Sequence, residues 1–255
     1  MRIFAVSDLH TDFHENWGVI QRLPDDAYQE DTLIVAGDIA SQLEIIGATL
    51  AALRSKFRHV FYVPGNHELW VGDGPGDSIE KFFQILALCE RLGVQTSPAQ
   101  IGTVWIVALF SWYAADFDDD GHRYARQLRG WADFYSCRWP HDIRRNIARY
   151  FSELNIPQIQ AYPAPVISFS HFVPRPELLP PRQFLFFKAL PRVAGSRLIE
   201  AQIRQLRSQI HIFGHSHIRR DLVLEGIRYV QNPLSYPREK GGVAFPEKVI
   251  WEEES

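Results

Sequence analysis

The chain has 255 residues, of which 46% are hydrophobic and 22% are charged, a composition typical of a globular protein with a sizeable core. The net charge of −3 gives no general attraction to nucleic acid or to an anionic membrane, although a local basic patch could still bind nucleic acid. No apolar run approaches the roughly 18 residues that span a bilayer, and the N-terminal apolar stretch is too short for a signal peptide. We therefore expect a cytoplasmic protein without a membrane partner. Cys89 and Cys137 are too few for a disulfide framework.

Strands and helices alternate through the first part of the chain. Short apolar runs predict strands at 2–7, 32–36 and 60–63. Between them, apolar residues recur at helical spacing over 17–23 and 43–57. This order of strand, helix, strand, helix and strand is typical of parallel βαβ units, so we predict an α/β fold with parallel strands.

The later part of the chain is richer in strands. After a predicted helix at 79–92, strands are predicted at 103–110, 165–169, 210–213, 222–224, 227–231 and 249–251. We expect the last three to be antiparallel strands that complete the core. A proline-rich stretch at 174–191 predicts a stiff loop on the rim of a site.

The stretch 112–165 differs in composition from the rest of the chain, because seven arginines lie between 123 and 149 with aromatic residues among them. Arginine can grip phosphate with a bidentate fork, and aromatic rings can stack on a base or a sugar. The favoured alternative is a helical cap whose arginines face solvent, so we assign no arginine to a site.

We predict one domain over 1–255, with 112–165 as a largely helical insertion. The acidic run at 116–120 lacks the ligand spacing of a calcium loop and is predicted to be a solvated loop.

Five of the predicted strands end in polar side chains. These are Asp8 and His10, Asp38, Asn66 and His67, His171, and His215 and His217. Ligands of open α/β sheets bind outside the carboxyl ends of the strands, so we expect these groups to converge. Asp8 and His10 stand two residues apart and would point the same way in extended backbone. A glycine precedes Asp38, Asn66 and His215, and we predict that each glycine lets the backbone turn sharply.

Such a set of groups suits two divalent transition metals, because imidazole prefers Mn, Fe, Zn and their neighbours to magnesium or calcium. A carboxylate such as Asp38 could bridge both ions with its two oxygens. Each motif alone has a plainer explanation, since Asp8 could cap a helix beside a surface histidine. The recurrence of the pattern at five strand ends favours the metal site.

The ordered motifs D-L-H, G-D-I, G-N-H-E, S-H and G-H-S-H span residues 8–217. Together they resemble the calcineurin-like metallophosphoesterase superfamily, in which the same blocks occur in the same order. The resemblance implies a two-sheet β-sandwich flanked by helices, an α/β (α+β) architecture that the strand pattern alone does not establish. It also implies a metal-dependent phosphoesterase.

The same resemblance implies a role for each polar group. One metal would be held by Asp8, His10, Asp38 and His217. The second metal would be held by Asp38, Asn66, His171 and His215. His67 would bind no metal, and would contact the phosphoryl group or protonate the leaving oxygen as a general acid.

The implied reaction is hydrolysis of a phosphomonoester or a phosphodiester. A hydroxide bridging two divalent ions, drawn from Mn, Fe, Zn or Ni, would attack phosphorus in line with the leaving oxygen. The alternative is a non-catalytic metal-binding scaffold of the same fold, although such relatives would be expected to lack ligands or the acid histidine, and this chain has them all. The sequence leaves open the substrate, the oligomeric state and which of Asp12, Glu68 and Asp73 orients His67.

Overall fold

The computed structural model describes residues 1–118, 123–239 and 244–253, so the predicted acidic loop at 116–120 lies partly outside the described residues. The strands are β1 (Arg2–Val6), β2 (Thr32–Ala36), β3 (His59–Val63), β4 (Ala99–Ile101), β5 (Val104–Ala108), β6 (Val166–Phe169), β7 (Ile210–Phe213), β8 (Arg220–Leu224), β9 (Ile227–Gln231) and β10 (Val249–Glu252). The α-helices are α1 (His14–Gln21), α2 (Leu43–Lys56), α3 (Ser78–Leu92), α4 (Asp133–Ser136), α5 (Ile147–Leu154), α6 (Pro191–Ala194) and α7 (Arg197–Gln205). Short 3₁₀ helices cover His67–Leu69, Ala115–Phe117, Ala125–Gly130, Ile156–Gln158, Pro176–Leu178, Arg182–Phe184 and Pro237–Glu239.

The strands form two sheets. The first has the order β10-β1-β2-β3, in which β1, β2 and β3 are parallel and β10 pairs antiparallel with β1. The second has the order β4-β5-β6-β7-β9-β8, with four parallel strands in the middle and antiparallel strands at both edges. The predicted βαβ units of the first sheet are confirmed, and so is the two-sheet architecture that the resemblance implied.

The inner faces of the two sheets pack against each other. On β2, Ile34 and Ala36 belong to the core between the sheets, whereas Leu33 and Val35 belong to the core under the helices. Phe61 of β3 and Phe169 of β6 meet edge to face, with ring centroids 6.4 Å apart. Because both faces of these strands are buried, their sequences are continuous apolar runs with little alternation.

The helices cover the outer faces. Ile46, Leu50 and Leu53 of α2 form the predicted apolar stripe, and all three are fully buried. Helix α3 begins with a capping box between Asp77 and Glu80, which satisfies backbone N–H groups of its first turn. In its described residues, the stretch 112–165 contains helices and no strand. Among the described residues there is no helix of the length and apolarity that crossing a bilayer requires.

Candidate metal centre

The predicted ligands meet at the ends of β1, β2, β3, β6 and β7. The potential ligand atoms of Asp8, His10, Asp38 and His217 all lie within 4.8 Å of one another. A second group with the same spacing contains Asp38, His171 and His215. The Oδ1 atom of Asn66 lies 3.0 Å from His215 Nδ1 and 3.2 Å from His171 Nε2, so it joins the second group. The two groups therefore share one carboxylate, that of Asp38.

The backbone brings these side chains together in a different way from the one predicted. Strand β1 ends at Val6, and Asp8 and His10 have φ values of 53° and 44°, in the left-handed region. The prediction that extended backbone aligns the two side chains was therefore wrong. Asp38, His215 and His217 are also left-handed. Because this conformation costs a non-glycine residue about 1–2 kcal/mol, the site accumulates strain that the surrounding structure must offset.

The glycines beside the ligands act in two ways. Gly37 has a φ of +80° and makes the predicted sharp turn before Asp38. Gly65 and Gly214 are not left-handed. A Cβ atom on Gly65 would lie 2.2 Å from Asp38 Oδ1, and one on Gly214 would lie 2.8 Å from a backbone oxygen. At these two positions the predicted reason was wrong, because glycine is needed for space and not for turning.

Hydrogen bonds to acceptors outside the ligand set orient three of the imidazole rings. His171 Nδ1 donates to the Ala36 carbonyl oxygen at 2.9 Å, and His215 Nε2 donates to the Val193 carbonyl oxygen at 2.9 Å. His217 Nδ1 lies 2.7 Å from a carboxylate oxygen of Glu239. Because these acceptors can only receive a proton, each ring directs one N–H at them and turns its other nitrogen into the site. At His171 that nitrogen is protonated at neutral pH, because burial lowers the pKa of this ring but the charge of Asp38 outweighs burial and raises the pKa to about 9.

Burial and charge together favour cation binding here. Burial lowers the pKa of His10 and of His215 well below the usual range, so both rings are neutral at neutral pH, the form that ligates metals. Burial acts in the opposite direction on the pKa of Asp38, but the charges of His171 and His67 outweigh burial and lower the pKa of this carboxyl well below its usual value. Asp38 is therefore ionised although it is almost fully buried.

The residues present fit a pair of metal ions. His10 Nε2 and His217 Nε2 face each other at 3.0 Å. Two lone pairs repel each other at this distance, so either a proton or a cation must lie between the two nitrogens. His10 Nδ1 is buried and has no hydrogen-bond partner among the described residues. Carboxylate, amide and imidazole donors in one buried cluster are the ligand types that divalent transition metals take.

His67 lies beside the ligands with its ring partly accessible. Its Nε2 atom is 3.8 Å from Asp38 Oδ2 and 3.1 Å from the hydroxyl of Tyr236, and its ring packs on Trp70 at a centroid distance of 3.8 Å. None of the three acidic residues near it in sequence makes a described hydrogen bond to its ring. Tyr236 and Trp70 therefore hold the ring in place.

Glu68 has a structural role that the sequence did not reveal. Its side chain is fully buried and accepts hydrogen bonds from the backbone N–H groups of Gly65 (2.7 Å), Asp38 (3.1 Å) and Ile39. One carboxylate thus ties the loop after β2 to the loop after β3. Burial and the charge of Asp38 raise the pKa of Glu68 to about 7, and the three hydrogen bonds that its side chain accepts help to hold the left-handed turn at Asp38.

The stretch 112–165 reaches the site through Asp133. This carboxylate is buried and accepts a hydrogen bond from Asn66 Nδ2 at 2.9 Å. The indole N–H groups of Trp70 and Trp131 also donate to it, at 2.7 and 2.8 Å. Because the amide nitrogen of Asn66 is bound to Asp133, the amide oxygen of Asn66 is turned toward His171 and His215. Asp133 was missed because nothing in its local sequence marks it.

Known proteins resemble this chain in sequence and in fold. The sequence profile of the family described as calcineurin-like phosphoesterase matches residues 1–219. The [acyl-carrier-protein] phosphodiesterase PptH of Mycobacterium tuberculosis is 28% identical to this chain, over 93% of this chain and 78% of PptH. The crystal structure of phosphopantetheinyl hydrolase (PptH) from Mycobacterium tuberculosis aligns with a TM-score of 0.79 at 25% identity, covering 93% of this chain and 90% of that one.

Replacement of Gly65 by alanine tests the close approach at this position. A methyl group there would lie 2.2 Å from Asp38 Oδ1 and 2.7 Å from His171 Nε2, so the shared carboxylate or the loop has to move. We expect Gly65→Ala to lose bound metal on dialysis, measured by plasma emission spectrometry. Gly130→Ala is the matched control, because its Cβ would meet no described atom within 4 Å. Equal metal content in the two variants would contradict this account.

Substitution of Asp133 tests whether it positions Asn66. Asp133→Ala removes the acceptor that fixes the amide, and loss of such a supporting group typically weakens metal binding by about 10–100-fold. Asp133→Asn can keep one oxygen toward Asn66 and Trp70, so we expect it to retain most of the affinity. Metal dissociation constants from competition with a fluorescent chelator give the comparison, and Asp142→Ala, an exposed carboxylate of the same stretch, is the control. Wild-type affinity in Asp133→Ala would refute the positioning role.

Proposed function

Because the chain belongs to the calcineurin-like phosphoesterase family, we propose that it is a phosphodiesterase that releases the phosphopantetheine arm from a carrier protein with two divalent metal ions. That it is a metal-dependent phosphoesterase follows from its family. The carrier-protein substrate and the number of ions are the further steps of the proposal. Both rest on the site and on the similarity to PptH.

The observation that carries the metal part of the proposal is the pair of ligand groups that share Asp38. Proposed ligands of the first ion are Asp8, His10, Asp38 and His217. Proposed ligands of the second ion are Asp38, Asn66, His171 and His215. Ions that suit this donor set are Mn, Fe, Zn and Ni. When bound, the ions would supply a nucleophilic water at neutral pH and positive charge opposite the phosphoryl oxygens.

The protein's own groups would complete the reaction. In hydrolysis, a bond forms between phosphorus and the water oxygen, the bond from phosphorus to the carrier-protein oxygen breaks, and that oxygen takes up a proton. His67 is proposed to donate this proton, because its ring stands beside the shared carboxylate and is not a member of either ligand group. Tyr236 and Trp70 would hold the ring in the orientation that the transfer requires.

The substrate part of the proposal is supported by the similarity to PptH, which extends over 93% of this chain in both sequence and structure. PptH is described as an acyl-carrier-protein phosphodiesterase and as a phosphopantetheinyl hydrolase. A phosphodiester between a carrier protein and phosphopantetheine is one of the ester classes that the motifs allow. Substrate choice cannot be taken from the fold alone, so it needs a direct test.

The first experiment is to incubate the protein with a phosphopantetheinylated acyl carrier protein and to follow the mass of the carrier. Chelated protein is reconstituted in turn with Mn, Zn, Ni, Fe and Mg, and p-nitrophenyl phosphate and bis-p-nitrophenyl phosphate are assayed in parallel. We expect the carrier to lose its arm in the presence of a transition metal and the diester to be preferred. Turnover of the monoester alone would overturn the carrier-protein proposal. Metal binding without turnover of any substrate would favour the scaffold alternative.

His67→Ala tests the proposed proton donor. An alkoxide leaving group needs a proton, so we expect release of the arm from the carrier protein to fall by about 10²–10⁴-fold while bound metal is retained. A p-nitrophenolate ion is stable without a proton, so hydrolysis of bis-p-nitrophenyl phosphate should fall much less. His141→Ala, at an exposed histidine, is the control. An equal loss with both substrates would assign His67 to substrate binding and not to proton transfer.

A further inference from the structure

The segment 233–239, between β9 and β10, borders the first proposed metal position. Its backbone is fastened to the end of β1 by two hydrogen bonds. The Leu234 N–H donates to the Ser7 carbonyl oxygen at 2.9 Å. The Ser235 N–H donates to the Asp8 carbonyl oxygen at 2.9 Å. The segment is therefore fixed directly to the loop that carries two of the proposed ligands.

Tyr236 of this segment contacts three imidazole rings of the site. Its ring is stacked on His10 at a centroid distance of 4.2 Å and meets the ring of His217 edge to face at 4.8 Å. Its hydroxyl lies 3.1 Å from His67 Nε2. One residue thus touches both proposed imidazole ligands of the first metal position and the proposed proton donor.

Glu239, in the last turn of the same segment, joins these contacts through one carboxylate oxygen. Its Oε2 atom lies 2.7 Å from His217 Nδ1 and accepts a hydrogen bond from the Tyr236 backbone N–H at 3.3 Å. The outside acceptors of His171 and His215 are backbone carbonyl oxygens, whereas that of His217 is a charged side chain. A carboxylate that accepts from a ligating histidine fixes the orientation of the ring and raises its basicity.

We propose that Glu239 is a positioning residue of the metal centre, an inference that rests on the metal positions and the proton donor proposed above. Through His217, it sets the affinity of the first position for its ion. Through the backbone of Tyr236, it sets where the phenol hydroxyl meets His67. Glu239 and Tyr236 both follow residue 219, at which the match to the family profile ends. The family's motifs therefore do not account for this link.

The exposure of Glu239 separates a positioning role from a stabilising one. About 40% of its side-chain surface is accessible to solvent. Exposed ion pairs contribute little to folding stability, because water and salt screen them. Loss of this carboxylate should therefore leave the unfolding temperature of the metal-free protein close to that of the wild type, and should act where the orientation of a ring matters.

Metal binding gives the first test. The wild type, Glu239→Ala and Glu239→Gln are titrated with zinc in competition with a fluorescent chelator. Glu90→Ala, at an exposed glutamate of α3, is the control. We expect Glu239→Ala to bind one of two ions about 10–100-fold more weakly, the usual effect of losing such a partner. Glu239→Gln keeps an oxygen toward His217 and should lie between, whereas the control should match the wild type.

The second test observes His67 itself. Nitrogen NMR of zinc-saturated protein with labelled histidine reports on the hydrogen bond at His67 Nε2, and His67→Ala identifies the signal. Tyr236→Phe keeps the stacked ring but removes the hydroxyl, so it should shift this signal. Glu239→Ala should also shift it, and should add little in the double variant, because effects that pass through one shared contact are not additive.

The outcomes separate this inference from the proposed function. Wild-type affinity for both ions in Glu239→Ala, an unmoved His67 signal, or a large fall in the unfolding temperature of the metal-free variant would each overturn the inference. A wild type that does not bind zinc tightly would overturn the metal centre and the inference with it. Neither test uses the carrier protein. If both expected changes occur but the carrier is not cleaved, the proposed substrate fails and the role of Glu239 stands.

Discussion

The buried carboxylate of Asp38 is the group on which the rest of the site depends. It belongs to both ligand groups, and its Oδ1 atom accepts a hydrogen bond from the His67 backbone N–H while lying 3.4 Å from His171 Nε2. A buried charge is costly unless it is paired or bound to metal, so the surroundings of this carboxylate must supply partners from several directions. Gly65 leaves space for it, and Glu68 ties down the backbone on which it stands. Both proposed metal positions thus share this one side chain.

The parts of the fold that could be predicted are those in which burial requires a recognisable pattern of apolar residues in the local sequence. The parallel strands are buried on both faces, so they are visible as apolar runs, and the stripe on α2 is visible at helical spacing. The ligands could be proposed because they recur in short motifs at strand ends. The left-handed conformations of Asp8 and His10 could not be predicted, because they depend on loop packing. The need for space at Gly65 depends on Asp38 after β2 and His171 after β6, which are both distant from it in sequence.

The residues that were missed hold a proposed ligand and the proposed proton donor, and each is far from its partner in the chain. Asp133 is 67 residues from Asn66, and Tyr236 is 169 residues from His67. Neither belongs to a motif or to a periodic pattern, so each is an ordinary polar residue until its three-dimensional neighbours are known. Their contacts nevertheless determine the orientation of the Asn66 amide and the position of the His67 ring. A motif can therefore identify ligands without specifying what orients them.

The two missed residues act on different parts of the site. Asp133 is the first residue of the short helix α4 and holds Asn66, whereas Tyr236 precedes the 3₁₀ helix Pro237–Glu239 and holds His67. The strand ends supply a ligand framework that would suit any phosphate ester, so they cannot by themselves select one. Selection must come from the surfaces around that framework. The stretch 112–165 supplies the support for Asn66 through Asp133 and most of the lining of a neighbouring cavity, so the segment that orients one proposed ligand also shapes the surface around the site.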